Sequence, residues 1–257
     1  ISMLKTLGIK LIVKIRSCFI NKEIIIRSKK KLKRSSLDIK KYVYFYNKIY
    51  NRKHELQGVE SVLREQDANH EWVLPPHVDT LPFFILQDNI KQSLENVRDN
   101  HFKVIVKLTL EQFLSRDFKK KIAQIVENIK PLDLVIEISY HEIVKRKRVR
   151  SILRKMNAFK KQGVLFSINN LGADFSFAKR IHYLLPVIDI LKLDIKYFNH
   201  KEKWLDLPIA FWGKLANKYQ LALIVSGVET KADEHLLDVL AIDLRSGYLY
   251  GMPEQFI

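Results

Sequence analysis

The sequence predicts one α/β barrel built on a parallel sheet, preceded by a basic N-terminal extension. Three observations predict it. Short β-branched runs alternate with longer amphipathic stretches over most of the chain, the pattern of buried parallel strands each followed by a helix. The alternation recurs often enough to close a barrel, whose chemistry would sit at the C-terminal strand ends. A chain of 257 residues is long enough for one such core without splitting into two domains.

The elements follow in order. Residues 1–36 form the extension. Leu4, Leu7 and Leu11 fall near helical spacing among Lys5, Lys10, Lys14 and Arg16, which predicts an amphipathic helix. Arg27-Ser28-Lys29-Lys30-Lys31-Leu32-Lys33-Arg34 then reads as a solvated basic block. Residues 37–257 form the barrel domain. The aromatic and β-branched run 42–46 predicts a strand, Asn51-Arg52-Lys53-His54 a turn, and 56–63 a second strand. Strands are predicted over 104–108, 134–138, 164–168, 188–193 and 221–225. Helices are predicted after them over 110–129, 141–162, 175–184, 207–219 and 231–240, and a last apolar stretch covers 241–244. Trp204 and Trp212 are expected to pack outside the barrel wall.

Charge is the unusual bulk property. Forty-five Lys and Arg against 28 Asp and Glu give +17. Through Glu55 there are sixteen basic residues against Glu23, Asp38 and Glu55, so about +13 sits in the first fifth of the chain. The barrel is expected to be only mildly basic. Three uses of the N-terminal charge stand open: a solvated face, contact with an anionic membrane surface, and nucleic acid, which is disfavoured because no recognised binding motif accompanies the charge. The single cysteine, Cys18, rules out an internal disulfide framework and suits a cytoplasmic protein, with peripheral membrane contact through the extension. No apolar run approaches the ~20 residues of a membrane-spanning helix. His70, His77, His101 and His141 show no metal-ligand spacing.

Seven short motifs carry the functional reading. They are Gly58-Val59-Glu60-Ser61-Val62-Leu63-Arg64, Val106-Lys107-Leu108-Thr109, Glu137-Ile138-Ser139-Tyr140, Asn169-Asn170-Leu171-Gly172, Leu191-Lys192-Leu193-Asp194, Ser226-Gly227-Val228-Glu229-Thr230 and Ser246-Gly247-Tyr248. Their order and spacing resemble the EAL family of cyclic-di-GMP phosphodiesterases, named for a Glu-Ala-Leu tripeptide. The resemblance implies a modified TIM (β/α)8 barrel and a site in which two divalent metals activate water and neutralise the phosphodiester.

Position by position, the resemblance implies a degenerate site. Glu60, Glu137, Lys192, Asp194 and Glu229 match residues of the family pattern. Lys107 replaces a metal-binding asparagine, Asn169 and Asn170 replace an aspartate pair, Ser226 replaces a metal-binding glutamate, and Ser246 a glutamine. Tyr140 replaces the glutamate that holds the loop after the aspartate pair, and Asp174 replaces a glycine of that loop. Three carboxylates become neutral and one amide becomes an ammonium, so the pocket is about four charges more positive, which disfavours hard cations.

The expectation is a catalytically inactive regulator with no catalytic residue, only vestigial Glu60, Glu137, Lys192 and Glu229, and no cofactor. It would bind cyclic-di-GMP through Arg64, Lys107 and Asp194, or a protein partner. The alternative is a cyclic-di-GMP phosphodiesterase using Mg or Mn. For Lys107 two readings stand: an ammonium bridging Glu60 and Glu137, or a lysine facing a ligand phosphate. Lys192 and Asp194 read either as site residues or as a buried strand-end pair. Glu229 is expected to act as a charge at a helix N-terminus.

Overall fold

The computed structural model describes residues 42–75, 102–144, 149–171, 181–198 and 206–255. The extension 1–36 with Cys18, together with His77, His101, Gly172, Asp174, Trp204 and most of the helix expected over 175–184, lies outside the described residues.

Two strands open the barrel, β1 (Tyr42–Tyr50) and β2 (Leu56–Gln66), joined by the turn at Asn51 and followed by a short β3 (Trp72–Val73). The side chain of Asn51 accepts from the backbone N–H of Lys53 and Glu55, both at 2.9 Å, which explains a tight turn at that sequence. The remaining strands are β4 (Lys103–Lys107), β5 (Asp133–Ser139), β6 (Leu165–Asn169), β7 (Ile190–Asp194), β8 (Ala222–Ser226) and β9 (Leu244–Arg245). The sheet runs β1-β9-β8-β7-β6-β5-β4-β2 and closes by pairing β2 with β1, while β3 hangs from the edge of β2. The barrel strands are parallel except β1, which is antiparallel to both its neighbours. That one reversal is what modifies an ordinary TIM barrel.

Helices α1 (Leu110–Leu114), α2 (Arg116–Ile129), α3 (Tyr140–Val144), α4 (Val149–Lys160), α5 (Asp206–Lys218) and α6 (Lys231–Val239) cover the outside. The helix expected over 110–129 is two helices. Ser115 stands between them with extended backbone, and its hydroxyl accepts from the N–H of Phe118 at 3.1 Å. A serine competes for backbone donors and favours a cap over a helix interior. The helix expected over 141–162 is α3 and α4, with 145–148 between them outside the described residues.

Two apolar layers result from the two-residue strand period. Ile49, Ile105, Val135, Ile190 and Ile224 fill the lower barrel interior. The opposite strand faces, with Val104, Val106, Ile136, Phe166, Ile168 and Leu191, pack beneath the helices. Trp212 of α5 is fully buried in this outer layer, where it was expected. The period also fixes the site: two residues beyond the interior isoleucines and valines come Lys107, Glu137, Lys192 and Ser226, at the C-terminal strand ends.

Candidate functional site

A cleft of ≈ 270 Å³ opens at that end of the barrel. Glu60, Arg64, Lys107, Asn169, Asn170, Lys192, Asp194, Ser226 and Ser246, nine of the residues singled out in the sequence, line it. Glu137 lies beneath it and is wholly buried. Glu229 pairs with Lys196 at the rim.

The floor is an ion triad. The Lys192 ammonium lies 2.7 Å from Glu60 Oε1 and 3.4 Å from Glu137 Oε2. Lys107 is therefore not the bridging lysine. It stands beside Glu137 in the β4–β5 register, but it is exposed at the end of β4 and lines the cleft. Lys192, one strand further round from β6, reaches both carboxylates from inside. Nor do Lys192 and Asp194 form a pair: Asp194 accepts the N–H of Lys196 at 2.9 Å and caps the 3-10 turn Ile195–Tyr197.

Burial raises the pKa of Glu60, but Lys192, a hydrogen bond from Asn47 and the charge of Lys107 outweigh it and hold the carboxyl below its ordinary value. Glu137 has the same lysine at longer range and Glu60 as a like charge, so burial wins and its pKa is raised. Burial acts against the Lys192 charge, yet the two carboxylates prevail and hold the ammonium well above the ordinary lysine value. One cation is thus shared unequally by two acids, and the nearer is the more acidic of the two.

Amides and hydroxyls complete the floor. Asn47 donates to Glu60 Oε2 at 3.3 Å, Asn169 donates to Glu137 Oε1, and Asn170 donates to Ser139 Oγ at 3.2 Å. The Ser226 hydroxyl donates to the Leu193 carbonyl at 3.3 Å. Ser246 is buried and serves the backbone, its N–H donating to the Val225 carbonyl at 3.0 Å. The buried Oδ1 of Asn169 meets no donor among the described residues.

This donor set does not fit a pair of hard divalent cations, which want several oxygens each. Around Glu60 and Glu137 the other strand ends bring an ammonium at Lys107, amides at Asn169 and Asn170 and a hydroxyl at Ser226. Among the described residues no three His, Cys, Asp or Glu side chains group as a metal site.

The wall carries the remaining charge. Lys48 pairs with Glu254 at 2.8 Å and Lys196 with Glu229. Arg64 and Lys107 line the cleft with no ion-pair partner among the described residues. Leu74, Tyr248 and Met252, all more than half exposed, give the mouth an apolar rim, and the Lys196 ammonium sits 4.6 Å from the Tyr248 ring centroid. Glu229 directly precedes Thr230, the N-cap of α6, whose hydroxyl accepts from the Asp233 N–H; the side chain of Glu229 turns to Lys196 instead of the helix.

Asn47, Lys48 and Lys196 belong to the cleft and were not picked out in the sequence. Asn47 had a usable signal, since it lies two residues from the inward Ile49 on β1. Lys48 and Lys196 had none, because the C-terminal strap, residues 247–254, which brings Glu254 to Lys48, and the 3-10 turn that carries Lys196 are placed by the tertiary fold.

The chain belongs to the EAL domain family, whose model matches residues 31–253. Solved structures agree on the fold. The PaMucR phosphodiesterase in complex with c-di-GMP is similar at 20% identity and a TM-score of 0.71, over 86% of this chain and 95% of that one. The FimX EAL domain from Pseudomonas aeruginosa, bound to c-di-GMP, is similar at 14% identity and 0.70, over 86% and 94%. YkuI of Bacillus subtilis, solved with c-di-GMP and calcium, is similar at 17% identity and 0.70, over 86% and 57%. A comparison with curated proteins gave no match. Among the described residues no helix is long and apolar enough to cross a membrane.

Proposed function

We propose that this EAL domain is a catalytically silent regulator that binds cyclic-di-GMP as a metal-independent receptor. The observation that carries the reading is the division of labour among three cations. Lys192 spans Glu60 and Glu137 internally, and Arg64 and Lys107 line the cleft with no ion-pair partner among the described residues. A dianionic dinucleotide needs fixed positive charge where an active site would use metals, and charge-assisted bonds to phosphate oxygens supply it. Solved EAL proteins that carry c-di-GMP on the same fold add support.

Silence as a hydrolase follows from the ligand count. Water activation needs metals held by carboxylates in the open, and here both deep carboxylates face an ammonium. The test is incubation with cyclic-di-GMP and Mn²⁺, with chromatography of the products. An intact dinucleotide after long incubation is expected. Steady release of the linear dinucleotide would establish the phosphodiesterase alternative and remove this reading.

A protein partner remains a second reading with its own observation, the apolar rim of Leu74, Tyr248 and Met252. Exposed apolar residues gathered at one mouth mark an interaction site.

A further inference from the structure

Away from the cleft, α2 and α4 carry a second concentration of charge. Arg116, Lys119 and Lys120 follow each other at helical spacing on α2 and are all exposed; Arg150 and Arg154 do the same on α4, with Lys155 half-buried beside them. Residues three and four apart share a helix face. None of these six cations has an ion-pair partner among the described residues. The sequence of α4 contains no acidic residue at all. On α2 the acidic residues are Asp117 and Glu127, and Glu127 is at the far end, 2.8 Å from Lys130.

The two helices are locked together beneath the charge. Phe113 of α1, Phe118 of α2 and Phe159 of α4 pack ring against ring with centroids 5.1–5.8 Å apart. The Lys155 ammonium lies above this cluster, 5.1 Å from the Phe113 ring and 5.6 Å from that of Phe159. Burial lowers the Lys155 pKa, and the neighbouring Lys119 charge lowers it further. Two like charges on adjacent helices thus interact, and neither has an ion-pair partner among the described residues, an arrangement that an external anion would relieve.

We propose that the α2–α4 face is an electrostatic docking surface for an anionic lipid bilayer. The cations spread over two packed helices and make a broad patch, and clusters of four to eight Lys and Arg suit the phosphate headgroups of an anionic leaflet. Leu114, exposed two residues before Arg116, supplies an apolar side chain for the interfacial region. Single-stranded nucleic acid fits less well, since it needs exposed aromatic platforms and all three phenylalanines are buried. The four residues before α4, Lys145-Arg146-Lys147-Arg148, are also basic; they lie outside the described residues and form no part of the surface proposed.

The test is sedimentation of the full chain with vesicles of phosphatidylcholine alone, or with about a third phosphatidylserine, at near-physiological salt. The key variant is K119Q/R150Q/R154Q, which alters exposed residues remote from the cleft. A second variant neutralises Lys29, Lys30, Lys31, Lys33 and Arg34 in the extension. The wild type is expected on anionic vesicles and not on neutral ones. At about fivefold per cation, the triple variant should lose about a hundredfold in partitioning while its melting temperature holds. Three results would overturn the proposal: no binding of the wild type to anionic vesicles; wild-type partitioning in the triple variant with loss only in the extension variant; or a triple variant that loses binding to a short RNA or DNA and none to vesicles.

Discussion

Lys192 places its ammonium 2.7 Å from Oε1 of Glu60, on the floor of the barrel mouth. Glu137 completes the triad from β5, fully buried. A lysine there converts two acids that would repel each other into a neutral-leaning cluster, and it gives the barrel mouth a cation of its own.

Removing that cation should be costly. Lys192→Met leaves two buried carboxylates facing each other, and breaking a buried pair costs about 3–5 kcal/mol. Adding Glu137→Gln should recover part of the loss, because only one acid then needs a charge partner. Denaturant unfolding of the single and double variants reads both effects. Equal stability of Lys192→Met and wild type would show that the triad contributes nothing.

Acid should weaken the same cluster in a defined direction. Glu60 is held below its ordinary pKa in the folded chain, so its ionised form favours folding. That contribution is complete above the unfolded-state value of about 4.3 and disappears as pH falls through the lower folded value. The stability gap between wild type and Glu60→Gln is therefore expected to narrow below about pH 4. Unfolding curves of both proteins at neutral pH and at successively lower pH measure it, and a gap that stays constant would contradict the assignment.

The C-terminal strap depends on one glycine. Gly247 has φ +155, and a Cβ there would come 2.1 Å from the Val228 carbonyl oxygen. Gly247→Ala must displace the backbone that carries Tyr248, Met252 and the Glu254 partner of Lys48. A loss of more than about 1 kcal/mol is expected. Proteolysis should also reach the strap more readily. An unchanged melting temperature would mean that the strap is not held this tightly.

The two unpartnered cations give the most specific prediction for binding. A charge-assisted hydrogen bond contributes about 1.5–3 kcal/mol, so Arg64→Gln and Lys107→Gln should each weaken cyclic-di-GMP binding by about tenfold or more. The melting temperature of Arg64→Gln should hold, because its side chain has no ion-pair partner among the described residues, and Lys107→Gln should lower it little, since Lys107 acts on Glu60 only through its charge. Full affinity in both variants would move the ligand elsewhere in the cleft.

Much of this was legible in the sequence. Strand positions followed from β-branched runs, and the interior placement of Glu137, Asn169 and Lys192 follows from the two-residue period on strands whose lower residues are apolar. The break at Ser115 was missed because the apolar period continues across it, from Leu110 and Phe113 to Phe118 and Ile122. The cap is a choice of one hydroxyl that hydrophobic spacing does not register. Lys192 as the bridge was missed, and Lys107 was left with two readings, for a different reason: which of two lysines reaches a pair of acids depends on side-chain direction across the barrel, and the chain order does not contain it. The basic face of α2 and α4 was hidden by averaging, since its cations are offset in the total by acids on other elements.

The most direct test is calorimetric titration of cyclic-di-GMP into the full chain in EDTA, repeated in Mn²⁺. The account predicts binding at micromolar or tighter affinity in EDTA, unchanged by Mn²⁺ and with the nucleotide recovered intact. Binding that appears only with Mn²⁺, or none in either buffer, would contradict it.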